Sequence, residues 1–266
     1  MTFAGIVQRA LEEDIGGGDV TSNLCVPAER RATGRFLTRE PIVVAGVELL
    51  PLLYENLDLK VASGARLDTG GEIARVRGNA RTLLSRERVA LNFLQHLSGI
   101  ATLARKYVDA VAGTGCRILD TRKTIPGMRQ LEKMAARAGG VTNHRMGLYD
   151  AVLIKNNHIT AAQGVREALE AVKESNLPIE IEVRTRAELD EALDCGAKKL
   201  LLDNLSPQEA KEWVRIIGKR AAVELSGGIT LETVRAYAES GADFISVGAI
   251  THSARAVDIH FNLELD

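Results

Sequence analysis

The spacing of apolar residues changes along the first 115 positions. Apolar residues at helical spacing between Phe3 and Leu11 predict a helix that stops at the glycines 16–18, and Asp19–Ser22 follows with the chemistry of a loop or a helix cap. Strands are predicted over short runs between glycine-containing turns, at 32–38, 42–45, 57–61 and 71–77. Helical spacing then returns and predicts two helices separated by Ser98-Gly99, over 82–97 and 100–112. The pattern predicts a small α+β domain over residues 1–115.

Residues 116–266 instead alternate between apolar strand-like runs and amphipathic helical stretches. The predicted strands are Arg117–Thr121, Ala151–Lys155, Ile179–Arg184, Lys199–Asp203, Ala221–Ser226 and Phe244–Val247. The clearest helices between them are 161–175, 186–195, 207–217 and 231–240. Ser206, Pro207 and Glu209 mark the start of the third of these as N-cap, first residue and N3. Continuous apolar strands that alternate with helices predict a parallel sheet covered on its faces.

Six strand–helix units are fewer than the eight of a TIM barrel. The alternatives are an open doubly wound sheet and a barrel with fewer strands. Polar or charged residues stand at the carboxyl end of nearly every predicted strand. In a parallel barrel these ends meet at one mouth, whereas an open sheet spreads them along an edge. This pattern favours the barrel.

Composition narrows the function classes. A formal net charge of −1 argues against a protein whose main function is non-specific nucleic-acid binding. The three cysteines are far apart, which fits a reducing compartment and gives no zinc pattern. Acidic residues stand where a signal peptide needs an apolar stretch, and the longest apolar run, 42–54, is too short to span a bilayer. We therefore expect a cytoplasmic protein without membrane or nucleic-acid partners.

Cations are concentrated at two neighbouring strand ends. Arg122 and Lys123 follow the first strand of residues 116–266, His144 and Arg145 precede the second, and Lys155 closes it. Each alone is consistent with an ordinary solvated loop or a structural histidine. Together they suit a small ligand with more than one carboxylate or phosphate, because Arg binds carboxylates bidentately and Lys acts as a point charge.

Two carboxylates close the next two strands. Glu182 and Asp203 could serve as general acid and base, as metal ligands, or as ion-pair partners of the nearby cations. Two oxygen ligands are also what Mg²⁺ usually takes from a protein when substrate phosphates and water complete its shell. The metal alternative therefore predicts a phosphorylated substrate.

Glycines follow the last two strands. Ser226-Gly227-Gly228 and the segment around Gly248 are consistent with tight turns, but glycine also lets backbone N–H groups approach a phosphate closely. The loops after the final strands of such barrels commonly bind phosphate. The chain contains neither the dinucleotide-binding glycine fingerprint nor a Walker lysine loop.

Motifs over nearly the whole chain resemble the quinolinate phosphoribosyltransferase family, the carboxylating nicotinate-nucleotide pyrophosphorylases. In the first part they are Glu13–Gly16, Gly18–Thr21, Glu87–Asn92 and Ser98–Thr102. In the second part they are Asp120–Gly127 with Arg129, Leu131–Lys133, Gly139-Gly140, Asn143–Arg145, Lys155 with Asn157-His158, Leu202–Asn204, and Glu224 with Ser226–Gly228. Their number and order identify the chain as similar to this family.

The resemblance implies an α/β fold in which a small N-terminal α+β domain precedes a six- or seven-stranded open or incomplete α/β barrel. We place the division between residues 1–115 and 116–266, with the C-terminal tail packed back on the first domain. The implied reaction joins quinolinate to phosphoribosyl pyrophosphate (PRPP), requires Mg²⁺, and gives nicotinate mononucleotide, pyrophosphate and carbon dioxide. A homodimer or higher homo-oligomer is also implied.

The resemblance further implies roles for individual side chains. Quinolinate binding is expected from Arg122, His144, Arg145, Lys155 and His158, together with Arg88 supplied by the partner subunit. Lys123 would face pyrophosphate and act in catalysis with Glu182 and Asp203, which would also face the ribose and the metal. The 5′-phosphate is expected at Ser226, Gly227, Gly228 and Gly248. The family pattern leads us to expect an acidic residue at position 156, and Asn156 departs from that pattern.

Two rival functions remain compatible with these residues. A paralogous phosphoribosyltransferase would use the same PRPP residues on another anionic heterocycle. A non-catalytic phosphate-binding or regulatory barrel is the other rival, and the retention of the cations and both carboxylates argues against it.

Overall fold

A computed structural model describes residues 2–266 and confirms the predicted fold class. The strands are β1 (Arg31–Thr38), β2 (Ile42–Val43), β3 (Leu57–Leu59), β4 (Arg66–Leu67), β5 (Glu72–Asn79), β6 (Arg117–Leu119), β7 (Val152–Ile154), β8 (Ile179–Val183), β9 (Lys199–Asp203), β10 (Ala222–Ser226), β11 (Phe244–Ser246) and β12 (Ile259–Leu265). The helices are α1 (Phe3–Ile15), α2 (Val20–Cys25), α3 (Ala80–Ala110), α4 (Arg129–Ala138), α5 (Asn156–Ala162), α6 (Val165–Val172), α7 (Arg186–Asp194), α8 (Pro207–Ile217), α9 (Val234–Ala238) and α10 (Ala249–His252). A short 3-10 helix covers Val47–Leu52.

The described residues pack as two units, each assembled from separated segments. The first unit contains the described residues up to Arg105, then Ile125–Gly140 and Ser253–Asp266. The second contains Lys106–Thr124 and Val141–His252. The domain division at residues 115 and 116 stays a prediction, because these units describe which segments pack together.

A four-stranded antiparallel sheet organises the first unit. Its strand order is β12-β1-β5-β3, so the last strand of the chain pairs with the first. Alternate residues of β1 are buried, and Phe36 lies with its ring centroid 4.8 Å from that of Phe261 in β12. Strand β12 was not predicted, since its polar residues give no long apolar run.

The predicted break at Ser98-Gly99 is wrong, because α3 runs through it as one helix of 31 residues. Both residues are used for close packing instead. Ser98 Oγ accepts a hydrogen bond from the backbone N–H of Ala45 at 3.0 Å. A Cβ atom on Gly99 would stand 2.1 Å from the carbonyl oxygen of Arg255. Glycine is therefore tolerated in the helix because another segment of backbone passes over it.

A six-stranded parallel sheet forms the centre of the second unit. Its order is β6-β11-β10-β9-β8-β7, and the middle strands are buried along most of their length, as continuous apolar strands require. Within residues 2–266 no ladder joins β6 to β7, so the predicted open or incomplete barrel is confirmed. Thr142 forms an isolated bridge with Leu119 of β6.

Local sequence signals explain where several helices of the second unit begin. Ser206 caps α8 and forms a reciprocal capping box with Glu209, with Pro207 as first residue, as predicted. Thr185 and Glu188 form the same box at α7. The predicted helix over 161–175 is instead two helices, α5 and α6, separated at Gln163 and Gly164.

Of the two alternatives predicted for Asp19–Ser22, a loop or a helix cap, the structure has the cap. Asp19 caps α2, a six-residue helix, and its carboxylate accepts the backbone N–H of Ser22 at 2.9 Å. A helix this short has no long periodic pattern to reveal it.

No helix among the described residues combines the length and the apolar character needed to cross a membrane.

The close approach at Gly99 predicts a large effect of a single methyl group. We expect Gly99→Ala to lower the free energy of unfolding by roughly 2–3 kcal/mol, because the clash is with rigid backbone. Gly5→Ala in α1 is the matched control, since its Cβ would meet only Thr2 Oγ1, at 3.4 Å. That change should be neutral or stabilise by about 0.5–1 kcal/mol through helix propensity. Urea denaturation of both variants measures the difference, and equal effects would contradict the packing account.

Candidate active site

A cavity of about 440 Å³ opens at the carboxyl ends of the parallel strands in the second unit. Residues that directly follow β6 and β7, and the last residues of β9, β10 and β11, contribute to its wall. The lining residues are Thr121, Arg122, Lys123, His144, Arg145, Leu153, Lys155, Asn156, Glu182, Arg184, Leu201, Asp203, Asn204, Glu224, Ser226, Gly227, Gly228 and Ser246. Its size and its mixture of apolar and convergent polar groups suit a small charged ligand.

One wall of the cavity carries two neighbouring guanidinium groups. Burial lowers the pKa of Arg145, and the positive charge of Arg122 lowers it further. Arg145 donates through Nη1 to the carbonyl oxygen of Ala151 at 3.1 Å. Its buried Nε atom has no hydrogen-bond partner among residues 2–266. Two adjacent cations, one with an unused buried donor, form a favourable place for a carboxylate or phosphate.

The opposite charge is supplied by Glu182 and Asp203, the carboxylates at the ends of β8 and β9. Glu182 is buried and accepts from Lys155 Nζ at 2.8 Å and from Arg184 Nη2 at 2.9 Å. Asp203 lies 4.0 Å from the same guanidinium and accepts a hydrogen bond of 2.6 Å from Asn204 Nδ2. The ion-pair alternative is therefore realised for Glu182, which holds Lys155 at the cavity wall.

The loop after β10 is held in a conformation that favours glycine. Gly227 and Gly228 have φ values of 100° and 62°. A Cβ on Gly227 would stand 2.2 Å from Asn204 Oδ1, and Asn204 donates its N–H to the carbonyl of Ser226 at 2.9 Å. The predicted helix at 231–240 begins only at Val234, so any phosphate here would meet the glycine loop itself.

His144 is fixed by its backbone and by both ring nitrogens. Its backbone N–H donates to the buried Asp120 at 2.8 Å. Nδ1 accepts the backbone N–H of Arg145 at 2.7 Å, and Nε2 faces the carboxylates of Glu180 at 3.4 Å and Glu224 at 3.5 Å. Burial opposes a charge on the ring, but the two carboxylates outweigh it and raise the pKa of His144 to about 9. The Arg145 N–H favours an unprotonated Nδ1, whereas Nε2 carries a proton in either state.

Lys199 completes this group from the other side. Its Nζ atom lies 3.1 Å from Glu180 and 2.8 Å from Glu224. Burial raises the pKa of Glu224, but His144 and Lys199 together reverse that effect and lower it to about 2. The two buried carboxylates are thus matched by two basic side chains. We call Glu180, Lys199, Glu224 and His144 the buried charge network.

Most of the predicted site residues meet at this cavity. Those that line it are Arg122, Lys123, His144, Arg145, Lys155, Glu182, Asp203, Ser226, Gly227 and Gly228. Gly248 is close by, since a Cβ there would stand 3.0 Å from Lys123 Cδ. His158 accepts the backbone N–H of Lys155 at 2.8 Å and so helps to cap α5. Arg88 is an exposed residue of α3 in the first unit.

Sequence reasoning did not propose Arg184, Asn204, Glu180, Lys199 or Glu224 as site residues. A signal for the last three was available. Each is a charged residue within a short apolar strand, at alternating positions that share a face with a strand-end site residue. Burial of such a charge requires a partner, so alternation alone could have suggested an internal ion pair.

The lowered pKa of Glu224 predicts a pH-dependent contribution to stability. A folded pKa of about 2, below the ordinary 4.5, means that the contribution is complete above pH 4.5 and is lost as the pH falls towards 2. We expect Glu224→Gln to lower the free energy of unfolding by about 3 kcal/mol at pH 7, where it removes one partner of a buried ion pair. Urea denaturation of both proteins should show this gap shrinking between pH 4.5 and pH 3. A gap that stays constant over that range would contradict the assignment.

Comparison with known proteins places these features in a family. Family models of the quinolinate phosphoribosyl transferase N-terminal and C-terminal domains match residues 19–98 and 100–262. The chain is 42% identical to a Mycobacterium leprae protein named nicotinate-nucleotide pyrophosphorylase [carboxylating], over 97% of this chain and 95% of that one. It is 39% identical to the tobacco protein named quinolinate phosphoribosyltransferase [decarboxylating] 2a, mitochondrial, over 98% and 82% of the two chains.

A solved structure shows the same similarity in three dimensions. The crystal structure of nicotinate-nucleotide pyrophosphorylase from Ehrlichia chaffeensis superposes with a TM-score of 0.95 at 35% identity, over 99% of both chains. The resemblance inferred from the motifs is confirmed, together with the expectation of an enzyme. This chain belongs to the quinolinate phosphoribosyltransferase family.

Proposed function

We propose that this protein transfers the phosphoribosyl group of PRPP to quinolinate with loss of carbon dioxide, giving nicotinate mononucleotide and pyrophosphate. The observation that carries the proposal is the meeting, in one cavity, of a wall with Arg122 and Arg145 and a glycine loop after β10. The first suits an aromatic dicarboxylate and the second a sugar phosphate. The printed names of the relatives, carboxylating and decarboxylating, support the same reaction.

The quinolinate half of the site would be the wall formed by Arg122, Arg145 and Lys155. Quinolinate carries two adjacent carboxylates, and the buried Nε–H of Arg145 offers a donor that has no acceptor among the described residues. Removal of this donor from water is costly unless an anion takes it up. His144 joins the buried charge network to this wall through the hydrogen bond that it accepts from the Arg145 backbone, while His158 would act through the cap that it provides at Lys155.

The PRPP half would be formed by Ser226, Gly227 and Gly228 around the 5′-phosphate, with Gly248 close to Lys123. Positive φ values at Gly227 and Gly228 turn the backbone of the loop in a way that only glycine adopts easily. Lys123 is exposed and would neutralise the pyrophosphate leaving group. The 5′-phosphate would then lie at the loop after β10 and the pyrophosphate at the loop after β6.

Mg²⁺ fits this half of the site by its chemistry. Asp203 and Glu182 supply carboxylate oxygens at neighbouring strand ends, which is the type and number of ligand usual when substrate phosphates complete the shell. In the structure both oxygens of Glu182 accept from cations, so Asp203 would be the more direct ligand. When bound, the ion would neutralise charge on the pyrophosphate.

The side chains of the cavity suit the bond changes of this reaction. The bond between ribose C1′ and pyrophosphate breaks as the ring nitrogen of quinolinate donates its electron pair to C1′. Positive charge develops on the sugar, and Glu182 or Asp203 would stabilise it electrostatically. The ring then carries a positive charge and accepts the electron pair released when carbon dioxide leaves, and a proton replaces it on the ring carbon. Arg122 and Arg145 would orient the carboxylates before this step.

The oligomer is a further part of the proposal. We infer a homodimer or higher homo-oligomer in which Arg88 completes the quinolinate site of the partner subunit. Arg88 is exposed on α3, and a two-fold symmetric interface lets each subunit donate such a residue to the other.

Substrate discrimination tests the proposed reaction. We expect the purified protein, with PRPP, Mg²⁺ and carboxyl-labelled quinolinate, to release two products in equal amounts. These are labelled carbon dioxide, from quinolinate, and pyrophosphate, from PRPP. Nicotinate should be turned over roughly 10⁴-fold less efficiently in kcat/KM, because loss of one carboxylate leaves buried donors unpaired.

Two controls accompany this assay. Chelation of the metal with EDTA should stop pyrophosphate release, and excess Mg²⁺ should restore it. Equal activity with nicotinate and quinolinate would overturn the substrate assignment, and preferential turnover of another anionic heterocycle would favour the paralogous alternative.

Mixed oligomers test the position of Arg88. Arg88→Ala and Lys123→Ala should each be inactive alone, since every site then lacks one residue. After subunit exchange at equal ratio, roughly a quarter of the sites should recover both residues if the partner supplies Arg88. Pyrophosphate release measures the recovery, and differently tagged subunits verify exchange by co-purification. Verified exchange without any recovered activity would contradict the trans arrangement.

A further inference from the structure

We propose that Glu180, Lys199 and Glu224 are positioning residues for the quinolinate half of the site: they hold the His144 imidazole, and through it the Arg145 backbone, in place. This inference rests on the proposed function, because it assigns a role within the anion-binding wall. None of these three residues follows from the family motifs as a ligand of the substrate.

The network begins at the cavity wall, where His144 and Glu224 line it, and continues along the strands that build the cavity to Glu180 and Lys199. Glu180 shares a face of β8 with Glu182, and Lys199 shares a face of β9 with Asp203. Leu201 of β9 is in register with both Glu182 and Glu224. The network therefore includes side chains of the cavity wall and the side chains that support them from the starts of β8 and β9.

Stability alone is a poor explanation for such a group. Glu180 and Glu224 are 4% and 0% exposed, and removal of two carboxylates from water costs several kcal/mol each. Lys199 and His144 compensate that cost, but well-packed apolar side chains of similar volume usually stabilise a core as well or better. What the ionic group does provide is orientation, because each hydrogen bond fixes a side chain in one direction.

The orientation passes to Arg145 through a short chain of contacts. Nε2 of His144 faces the two carboxylates, and Nδ1 of the same ring accepts the Arg145 backbone N–H at 2.7 Å. Asp120 holds the His144 backbone from another side at 2.8 Å. A rotated imidazole would lose both ring contacts at once, and the Arg145 backbone would lose its acceptor.

The network also controls the charge that an incoming substrate meets. Two buried carboxylates beside the anion-binding wall would repel a dicarboxylate if they stood alone. Lys199 Nζ, which also lies 5.0 Å from the centre of the Phe244 ring, offsets part of their charge, and the Nε2 atom of His144 faces both carboxylates. A support of reduced negative charge weakens the attraction of Arg122 and Arg145 for the ligand less.

Glu224→Gln tests the proposal, since the side chain keeps its shape and loses its charge. We expect the KM for quinolinate to rise roughly 10-fold or more while the KM for PRPP changes less than about 2-fold, because only the support of the anion-binding wall is disturbed. Glu209→Gln is the matched control. It loses a carboxylate of the capping box of α8, away from the cavity, and should change neither KM.

Two further measurements separate positioning from general damage. Nuclear magnetic resonance of ¹⁵N-histidine-labelled protein, assigned with His144→Gln, should show a protected Nε2 proton on His144 in the wild type and in Glu209→Gln, and its loss in Glu224→Gln. Should Glu224→Gln fail to fold, Glu180→Gln removes the other carboxylate that faces His144 Nε2 and is expected to give the same pattern of KM values and spectra.

The outcomes distinguish a failure of the proposed function from a failure of the positioning role. A wild type that neither binds nor turns over quinolinate overturns the proposed function, while the spectra still report on the network. A wild type active on quinolinate whose Glu224→Gln variant keeps an unchanged KM, or shows equal increases for both substrates, overturns the positioning role.

Discussion

Charged side chains that the parallel strands carry among buried neighbours must neutralise one another, and this constraint shapes the whole site. Glu182 at the end of β8 is matched by Lys155 and Arg184, and close to it Glu180 and Glu224 are matched by Lys199 and His144. Coulomb attraction in a poorly solvated interior is strong, whereas an unmatched charge there is prohibitive. The positions of Lys155 and Arg184 at the cavity wall are therefore set by Glu182.

Much of the fold could be predicted because its elements follow simple periods. The strands of the six-stranded sheet are short apolar runs, and β9 and α8 begin and end where the pattern places them. The errors have physical causes. Gly99 predicts a helix break, yet it lies inside α3. The backbone at Arg255 passes so close to it that a Cβ atom would not fit. Strand β12 exists because β1 offers it a partner, which is information that lies 221 or more positions away in the chain.

The site residues that follow the ends of strands were predictable, and those within the strands were less so. Residues that follow a parallel strand, such as Arg122 and Lys155, converge in any barrel of this kind, so order along the chain suffices to group them. Which charges pair depends on register instead. Lys155 binds Glu182 because β7 and β8 are neighbours with Ile154 opposite Ile181, and no local pattern encodes that pairing.

The alternation of side chains along β8 connects the two proposed halves of the site. Glu180 and Glu182 are two residues apart on one face of the strand, yet the first belongs to the network behind His144 and the second to the ion pairs beside Asp203. One rigid strand thereby sets the distance between the support of the quinolinate wall and the carboxylates of the PRPP half. Because the strand is buried and paired on both sides, we expect that distance to change little when a ligand binds. Preorganisation of this kind lets binding energy act on the reacting atoms rather than on reshaping the cavity.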